Sequence, residues 1–322
     1  MKASSFLIEP RHRLFVSISR LSSRLPAFRG RTRVFLLLYQ VLGLSHHSLL
    51  VDARLRRPVP FSARLNIQSW LQRIAFLTGG YESETVDFLH RLWQSRAGSG
   101  YLLDIGANVG MISIPFALMA RATASDNPLV IAVEAVPDNA RALETNIGLN
   151  DLGTEVVVIE SALGDAEKTI HIQVEGDLAS GEGSGTANIL PDDSTYACVT
   201  QPLVLRTLDG LLASGLLAAN CSVIKIDTDG YDLKVLEGAV GFLGKCRPVI
   251  FGEFSAHCMQ WHKQSIADVE RFAENMDYDV FFRNEENSLT FAREQPIDGF
   301  VQDLLLVPRE NCDEFSWCIE TA

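Results

Sequence analysis

Asp104-Ile-Gly106-Ala-Asn108-Val-Gly110 is the stretch whose residue types and spacing point most directly to chemistry. An apolar segment, Tyr101–Ile105, runs into it, and a helical pattern, Val109–Arg121, leaves it. Glycines at a strand-to-helix turn let backbone approach a ligand that a side chain would fend off. The spacing is GxxxG, whereas turns that cradle a dinucleotide pyrophosphate use GxGxxG. An acid at the strand end, Asp104, repels a pyrophosphate and suits a cationic or hydroxylated ligand. S-adenosylmethionine, with a sulfonium, an ammonium and a ribose but no phosphate, meets that description.

Two later segments repeat the arrangement. Glu134 ends the apolar run Leu129–Ala135, 28 residues after Gly106. A carboxylate there can accept both ribose hydroxyl protons. The run Glu155–Ser161 leads into Ser161-Ala162-Leu163-Gly164, whose small residues can border an adenine edge. A glycine turn after a strand is common, and a strand-end carboxylate is often only a helix cap. Their occurrence in successive strand–helix units favours a ligand. The expected cofactor-binding residues are therefore Asp104, Gly106, Asn108, Gly110, Glu134, Ser161, Ala162 and Asp227.

A methyl group on a sulfonium is already activated, so such an enzyme must chiefly align donor and acceptor. A hydroxyl acceptor also benefits from a base that takes its proton. Asp227, Asp229, Glu253 and His257 all follow the fourth and fifth apolar runs. Asp227, Glu253 and His257 are the catalytic candidates. Asp227 shares a sheet face with Lys225, so a simple ion pair is the plainer reading of that residue. His257 titrates closest to neutrality, and the alternative is a surface histidine. Asp227, Asp229 and Glu253 offer oxygen ligands of the kind Mg²⁺ prefers. No His or Asn cluster completes a site, and no metal is expected.

These residues need a sheet to position them. Ser222–Asp227 and Pro248–Phe254 are apolar throughout, like the three earlier runs, which indicates a sheet buried on both faces. Helical stretches between the runs indicate parallel pairing through crossovers. Pro137 opens one such helix, and another from Asp232 is expected to run on one face to Gly244. Tyr278–Arg283, Leu289–Arg293 and Asp303–Val307 follow with no helix between the last two, so antiparallel strands are expected there. Thr169–Val174 alternates and reads as an inserted one-faced strand or hairpin. Residues 176–200 follow as a long glycine-bearing loop, expected to act as a lid. Residues 1–80 show no strand alternation; Leu65–Leu77 and Ser83–Trp93 look helical.

Composition bounds the rest. The 322 residues are 47% hydrophobic and 21% charged, which argues against a disordered or collagen-like chain. No apolar run approaches the ~20 residues of a membrane-spanning helix; the longest is Val34–Leu44. The net charge of −12 divides into +11 over residues 1–80 and −23 over the remainder. The acidic body argues against nucleic-acid binding. The six cysteines form no CxxC pair, which fits a reducing compartment. Residues 11–44 mimic a secretion signal without a clean cleavage site, and an Arg- and Ser-rich mitochondrial-type presequence stays open. The basic arm either contacts an anionic membrane surface or packs as a helical cap over the sheet.

Residues from about 81 to 254 resemble the FkbM-type methyltransferases, a branch of the class I S-adenosylmethionine-dependent fold. The matching pieces are Leu103–Gly110, Val133–Pro137, Ser161–Gly164, Val223–Gly230, Val235–Ala239 and Arg247–Glu253. The departure is Asp229, where the family commonly has Glu before the glycine. The resemblance implies an α/β fold with a doubly wound, mostly parallel seven-stranded sheet, Rossmann-like, with antiparallel C-terminal strands. A helical N-terminal extension over 1–80 precedes the methyltransferase domain, 81–322. The implied activity is O-methylation of a hydroxyl on a glycan, glycolipid or secondary metabolite, with S-adenosyl-L-methionine as cofactor. A non-catalytic adenosyl-ligand-binding module acting as an assembly partner is the alternative; a nicotinamide-dependent oxidoreductase is disfavoured by the glycine spacing. The expected partner is a small-molecule or glycan acceptor, and the expected location is cytoplasmic, with peripheral membrane contact through the arm as the variant.

Overall fold

The computed structural model describes residues 10–22, 31–44, 49–124, 128–174, 187–189, 200–284, 290–293 and 301–319. The chain opens with helices α1 (Pro10–Ser22) and α2 (Arg31–Val41). An antiparallel hairpin follows, β1 (Leu50–Leu55) and β2 (Phe61–Asn66), then α3 (Trp70–Thr78) and α4 (Ser83–Ser95). Alternation of strand and helix then begins: β3 (Tyr101–Ile105), α5 (Ser113–Ala120), β4 (Val130–Glu134), α6 (Pro137–Gly148) and β5 (Val156–Glu160). An insertion carries β6 (Ala162–Leu163), β7 (Lys168–Val174), β8 (Ala187–Ile189) and β9 (Thr200–Arg206), a small sheet of order β6-β9-β7-β8. The chain returns through α7 (Leu208–Ala213), β10 (Cys221–Ile226), α8 (Asp232–Glu237), α9 (Val240–Cys246) and β11 (Val249–Ser255). It ends with α10 (Ala256–Trp261), α11 (Ile266–Asn275), β12 (Tyr278–Arg283), β13 (Phe291–Ala292) and β14 (Val301–Pro308).

The main sheet runs β13-β12-β14-β11-β10-β3-β4-β5. Strands β5, β4, β3, β10 and β11 are parallel neighbours. Strand β14 slots antiparallel between β11 and β12. This is the α/β sheet expected, seven strands with antiparallel ones at the C-terminal end, plus the two-residue β13 at its edge. Every residue of β3, β4 and β10 is buried, as strands apolar throughout require of a doubly covered sheet. Strand β5 lies at the edge and exposes Val157 and Glu160. The sheet's order reverses beside β3, since the chain steps outward to β4 and β5 and then returns to β10 on the other side. That reversal opens a crevice at the carboxyl ends of β3 and β10.

The structure corrects two readings. Residues 50–66 form strands where no alternation was found, and Leu65 belongs to β2 rather than to a helix. The pattern is present in Phe61-Ser-Ala-Arg-Leu-Asn66, which buries Phe61, Ala63 and Leu65 in turn. Helix α6 holds the hairpin in place. Asn150 just beyond it accepts from the Ser62 N–H at 2.8 Å, and Asn146 accepts from the Arg64 N–H at 2.7 Å. The second correction concerns the helix expected from Asp232 to Gly244, which is broken at Gly238 into α8 and α9. A Cβ on Gly238 would stand 2.0 Å from the Gly164 carbonyl oxygen, and the Asp209 N–H donates to the Gly238 carbonyl at 3.1 Å. The break lets the insertion's entry strand and α7 press against this point.

Candidate active site

A cleft of about 500 Å³ lies over the carboxyl ends of the central strands. Its floor comes from Gly106–Asn108 after β3, Glu134–Val136 after β4, Ser161–Leu163 after β5, and Asp227–Asp229 after β10. Glu253 enters from β11, and Ser69–Leu71 and Tyr81–Glu82 contribute from the N-terminal side.

The turn after β3 is held tightly. Gly106 has φ +79°, and a Cβ there would stand 2.0 Å from the Asp227 carbonyl oxygen. Its glycine is thus required by the approach of β3 to β10 as well as by its left-handed backbone. Gly110 is required by its left-handed backbone, φ +89°, with the Leu143 side chain packed 2.5 Å from where a Cβ would stand; it does not line the cleft. Asn108, φ +52°, lines the cleft, and its Oδ1 is buried without a hydrogen-bond partner. A donor on a bound ligand would satisfy that oxygen.

Glu134 is buried at the end of β4. Its Oε2 accepts from the Asn108 N–H at 2.7 Å, and its Oε1 accepts from the Val136 N–H at 2.8 Å. The carboxylate therefore ties the first two strand ends together, as a capping residue would. Oε1 also accepts from the Asn139 amide at 3.4 Å, and Oε2 keeps a second lone pair, which a ribose hydroxyl can use. Burial pushes its carboxyl up, against the pull of the Val136 and Asn108 N–H groups and the Asn139 amide. Ser161 and Ala162 line the wall beyond it.

Asp104 does not reach the cleft. It is fully buried beneath it, where Oδ2 accepts from the Ser113 hydroxyl and Oδ1 lies 3.9 Å from the Lys225 ammonium. Burial pushes its carboxyl up, with Lys225 and Ser113 opposing. Its place is that of a counter-charge, because the side chain leaves β3 on the face covered by α5. Lys225 also donates to Asp227 at 3.1 Å. Burial opposes its charge, but Asp227, Asp104 and Glu82 outweigh it and keep the ammonium protonated. The Lys–Asp pair read from the sequence is thus real, and the same Asp227 lines the cleft.

The turn after β10 is stapled by Asp232, which accepts from the Thr228 N–H and hydroxyl at 2.8 Å each and from the Gly230 N–H at 3.1 Å. Burial, then the nearby Asp227 charge, pushes the Asp232 carboxyl up to about 6. Asp229 has φ +51° and lines the cleft. Among the described residues, Asp227, Asp229 and Glu253 are not grouped as a metal-holding cluster.

Glu253 sits at the far end, in register with Asp303 of β14, which Arg283 pairs. Its side chain is exposed at the cleft mouth, and the desolvation it still meets there, then the charges of Asp227, Asp303 and Glu82, push its carboxyl up to about 7. Burial first, then the Glu82 charge beside it, pushes the Tyr81 phenol up. Desolvation by its neighbours likewise pushes the Glu82 carboxyl up, although the residue is exposed, with Lys225 opposing. Sequence reasoning missed both residues, along with Trp70; the one local signal is a pair of polar groups directly ahead of a helix. His257, by contrast, lies outside the cleft. The chain turns into α10 after Ser255, which leaves His257 exposed on that helix, its ring edge-on to Trp261 at 5.5 Å. Of the segment expected to act as a lid, only 187–189 and Thr200 lie within the described residues.

The two ends of the cleft thus differ. One offers acceptors for a hydroxylated, phosphate-free ligand; the other offers carboxylates around one buried ammonium, with one carboxyl poised near neutrality. The model of the methyltransferase FkbM domain matches residues 104–280. The chain belongs to the FkbM methyltransferase domain family. The FkbM match takes in the glycine turn, Glu134, the β10 turn and Glu253, and leaves out the hairpin and α3. A comparison with curated proteins finds no match. Among solved structures, the chain is similar to the FkbM methyltransferase of Methylobacillus flagellatus KT, with a TM-score of 0.40 and 14% identity, over 92% of this chain and 59% of that one. It is similar to the METTL16 methyltransferase domain at a TM-score of 0.40 and 10% identity, over 70% of this chain and 68% of that one. It is also similar to the M. jannaschii tRNA m1G37 methyltransferase, at 0.38 and 13% identity, over 81% of this chain and 55% of that one. Likeness this distant says nothing of what the present chain binds or methylates.

Proposed function

We propose that the protein is an S-adenosylmethionine-dependent O-methyltransferase acting on a hydroxyl of a glycan, glycolipid or secondary metabolite. The observation that carries this reading is that one cleft joins the glycine turn and Glu134 to Asp227 and a Glu253 carboxyl held near neutrality. When bound, S-adenosylmethionine would supply a methyl group already activated on a sulfonium. Glu134 would hold the ribose hydroxyls, and the unpartnered Asn108 Oδ1 would accept from a donor of the ligand. Ser161 and Ala162 would border the adenine. Asp227, fixed by Lys225, lies between the two ends, where its charge favours a cationic centre. Glu253 would take the proton of the acceptor hydroxyl, since a carboxyl with a pKa near the working pH is both ionised in part and basic. Glu82, Asp227 and Glu253 leave this end net negative against one ammonium, which favours a neutral polyol over a phosphorylated acceptor.

Calorimetric titration with S-adenosylhomocysteine and NAD tests the cofactor: the first should bind and the second should not. Methyl-labelled S-adenosylmethionine added to cell extracts tests the transfer, read by mass spectrometry as products heavier by one methylene. Tight binding with no labelled product from any extract would favour a non-catalytic adenosyl-binding module instead.

A further inference from the structure

Helices α1 and α2 each bury one side and carry an exposed apolar strip beside or opposite it. In α1, Phe15 and Ser19 are buried while Leu14 and Ile18 are exposed. In α2, Phe35 and Tyr39 are buried while Val34, Leu37 and Val41 are exposed. Spacings of four, and of three and seven, put each exposed set on one helical face. The five side chains are between 37% and 74% exposed. The buried sides converge on α3: Phe15 meets Tyr39 edge-on at 5.4 Å, the Arg73 guanidinium of α3 stands 4.4 Å over the Tyr39 ring, and both helices touch α3. At about 100° per residue the α2 strip lies nearly opposite its buried side and the α1 strip about a quarter-turn round, so both are turned off α3. Water-facing sides of helices ordinarily carry charged and polar residues. Five large apolar side chains on two neighbouring short helices make a patch of the kind that marks an interaction surface. Exposed Arg13 and Arg33 flank the strips.

We propose that this face docks the protein on an anionic lipid surface. Charge decides between the occupants. Residues 1–80 carry +11 and the remaining chain −23. The acidic body of a second copy would attract the arginines but set charged surface against Val34, Leu37 and Val41. An anionic bilayer answers both: headgroups take the arginines and the acyl boundary takes the apolar strip. Among the described residues no helix is long and apolar enough to cross a membrane, so the contact is peripheral. The same α3 that backs these helices begins at Trp70, in the cleft wall, and its nine residues span ~13 Å. Docking would set the cleft one helix away from the lipid surface. The inference does not depend on what the cleft catalyses.

Flotation of the full chain with vesicles tests it. Vesicles of phosphatidylcholine containing phosphatidylglycerol should carry the protein, and vesicles of phosphatidylcholine alone should not. Leu37→Asp with Val41→Asp, and separately Arg13→Glu with Arg33→Glu, should each lower the bound fraction, by about fivefold or more per arginine lost. Melting temperature and S-adenosylhomocysteine affinity should stay at the wild-type values, which keeps this result separate from any failure of the cofactor reading. Absence of flotation with anionic vesicles at low salt overturns the proposal, as does equal flotation of both double variants. Sedimentation velocity covers the remaining occupant: a lipid-free dimer that Leu37→Asp with Val41→Asp converts to monomer assigns the face to a second copy.

Discussion

Glu253 keeps its proton to about 7 because the cleft walls partly desolvate it and Asp227, Asp303 and Glu82 surround it with negative charge. Two consequences have opposite signs. If Glu253 takes the acceptor's proton, the rate should rise with pH through about 7 in the wild type and stay low and flat in Glu253→Gln. Stability should move the other way. Between the ordinary carboxyl value of 4.5 and about 7 the folded protein binds the proton more tightly than the unfolded chain, so stability falls as pH rises across that window. Urea denaturation at several pH values should show the decline in the wild type and less of it in Glu253→Gln. At the other end, Glu134→Ala should weaken S-adenosylhomocysteine binding by about 1.5–3 kcal/mol, the scale of hydrogen bonds to a charged group. Because Glu134 also ties Asn108 to Val136, the calorimetry needs a melting curve beside it. A folded variant with unchanged affinity removes Glu134 from the site.

Turns and breaks between elements, more than the elements themselves, shape the cleft. The glycine between α8 and α9 sits against the Gly164 carbonyl, where the insertion leaves the main sheet. Gly238→Ala, which has no adverse φ to explain its effect, should cost about 1–3 kcal/mol through that clash alone. Chemical denaturation measures it; wild-type stability would mean that the junction yields. The turn from β10 to α8 depends on Asp232 in the same way. Its carboxyl is pushed up to about 6, so it too draws stability down as pH rises from its ordinary 3.8 to about 6. Asp232→Ala removes that slope but orphans the Thr228 and Gly230 N–H groups. The expected net result at neutral pH is a loss of about 1–3 kcal/mol.

Across the molecule, the N-terminal segment and the methyltransferase domain share one hydrophobic cluster. It runs from Phe15 and Phe35 through Phe61, Leu65 and Phe76 to Leu92, Ile114, Leu143 and Ile319. Truncations should therefore divide sharply. A chain starting at residue 46 loses α1 and α2 but keeps the hairpin, α3 and the Ser69–Leu71 wall, and should still bind S-adenosylhomocysteine. A chain starting at residue 81 strips Phe61, Leu65 and Phe76 from the cluster, at roughly 1.5–3 kcal/mol each. It also leaves the Asn146 and Asn150 side chains without their partners on the hairpin backbone and should unfold or aggregate. Circular dichroism melting of the two truncations, with the titration alongside, checks both outcomes.

Strand identity was legible because it is written locally. Five runs of consecutive apolar residues, most of them separated by a turn and a helical period, can only fill a sheet covered on both faces. Gly106, Glu134, Asp227 and Glu253 follow from their place at the ends of those runs. The β2 alternation was equally local, but it is only six residues long and follows the Arg- and Pro-rich stretch 54–60. What could not be read depends on segments far apart in the chain. Gly238 breaks a helix because Gly164 presses on it. Glu253 faces the cleft while His257, four residues on, leaves it, because the chain turns into α10 between them. Glu82 joins Glu253 and Asp227 only when α4 is laid beside the sheet, and that meeting of charges sets the Glu253 carboxyl near neutrality. Period and residue type act over a few residues, so they determine which elements form. Desolvation and Coulomb interaction act across space, so only the packed fold decides which carboxyl keeps its proton.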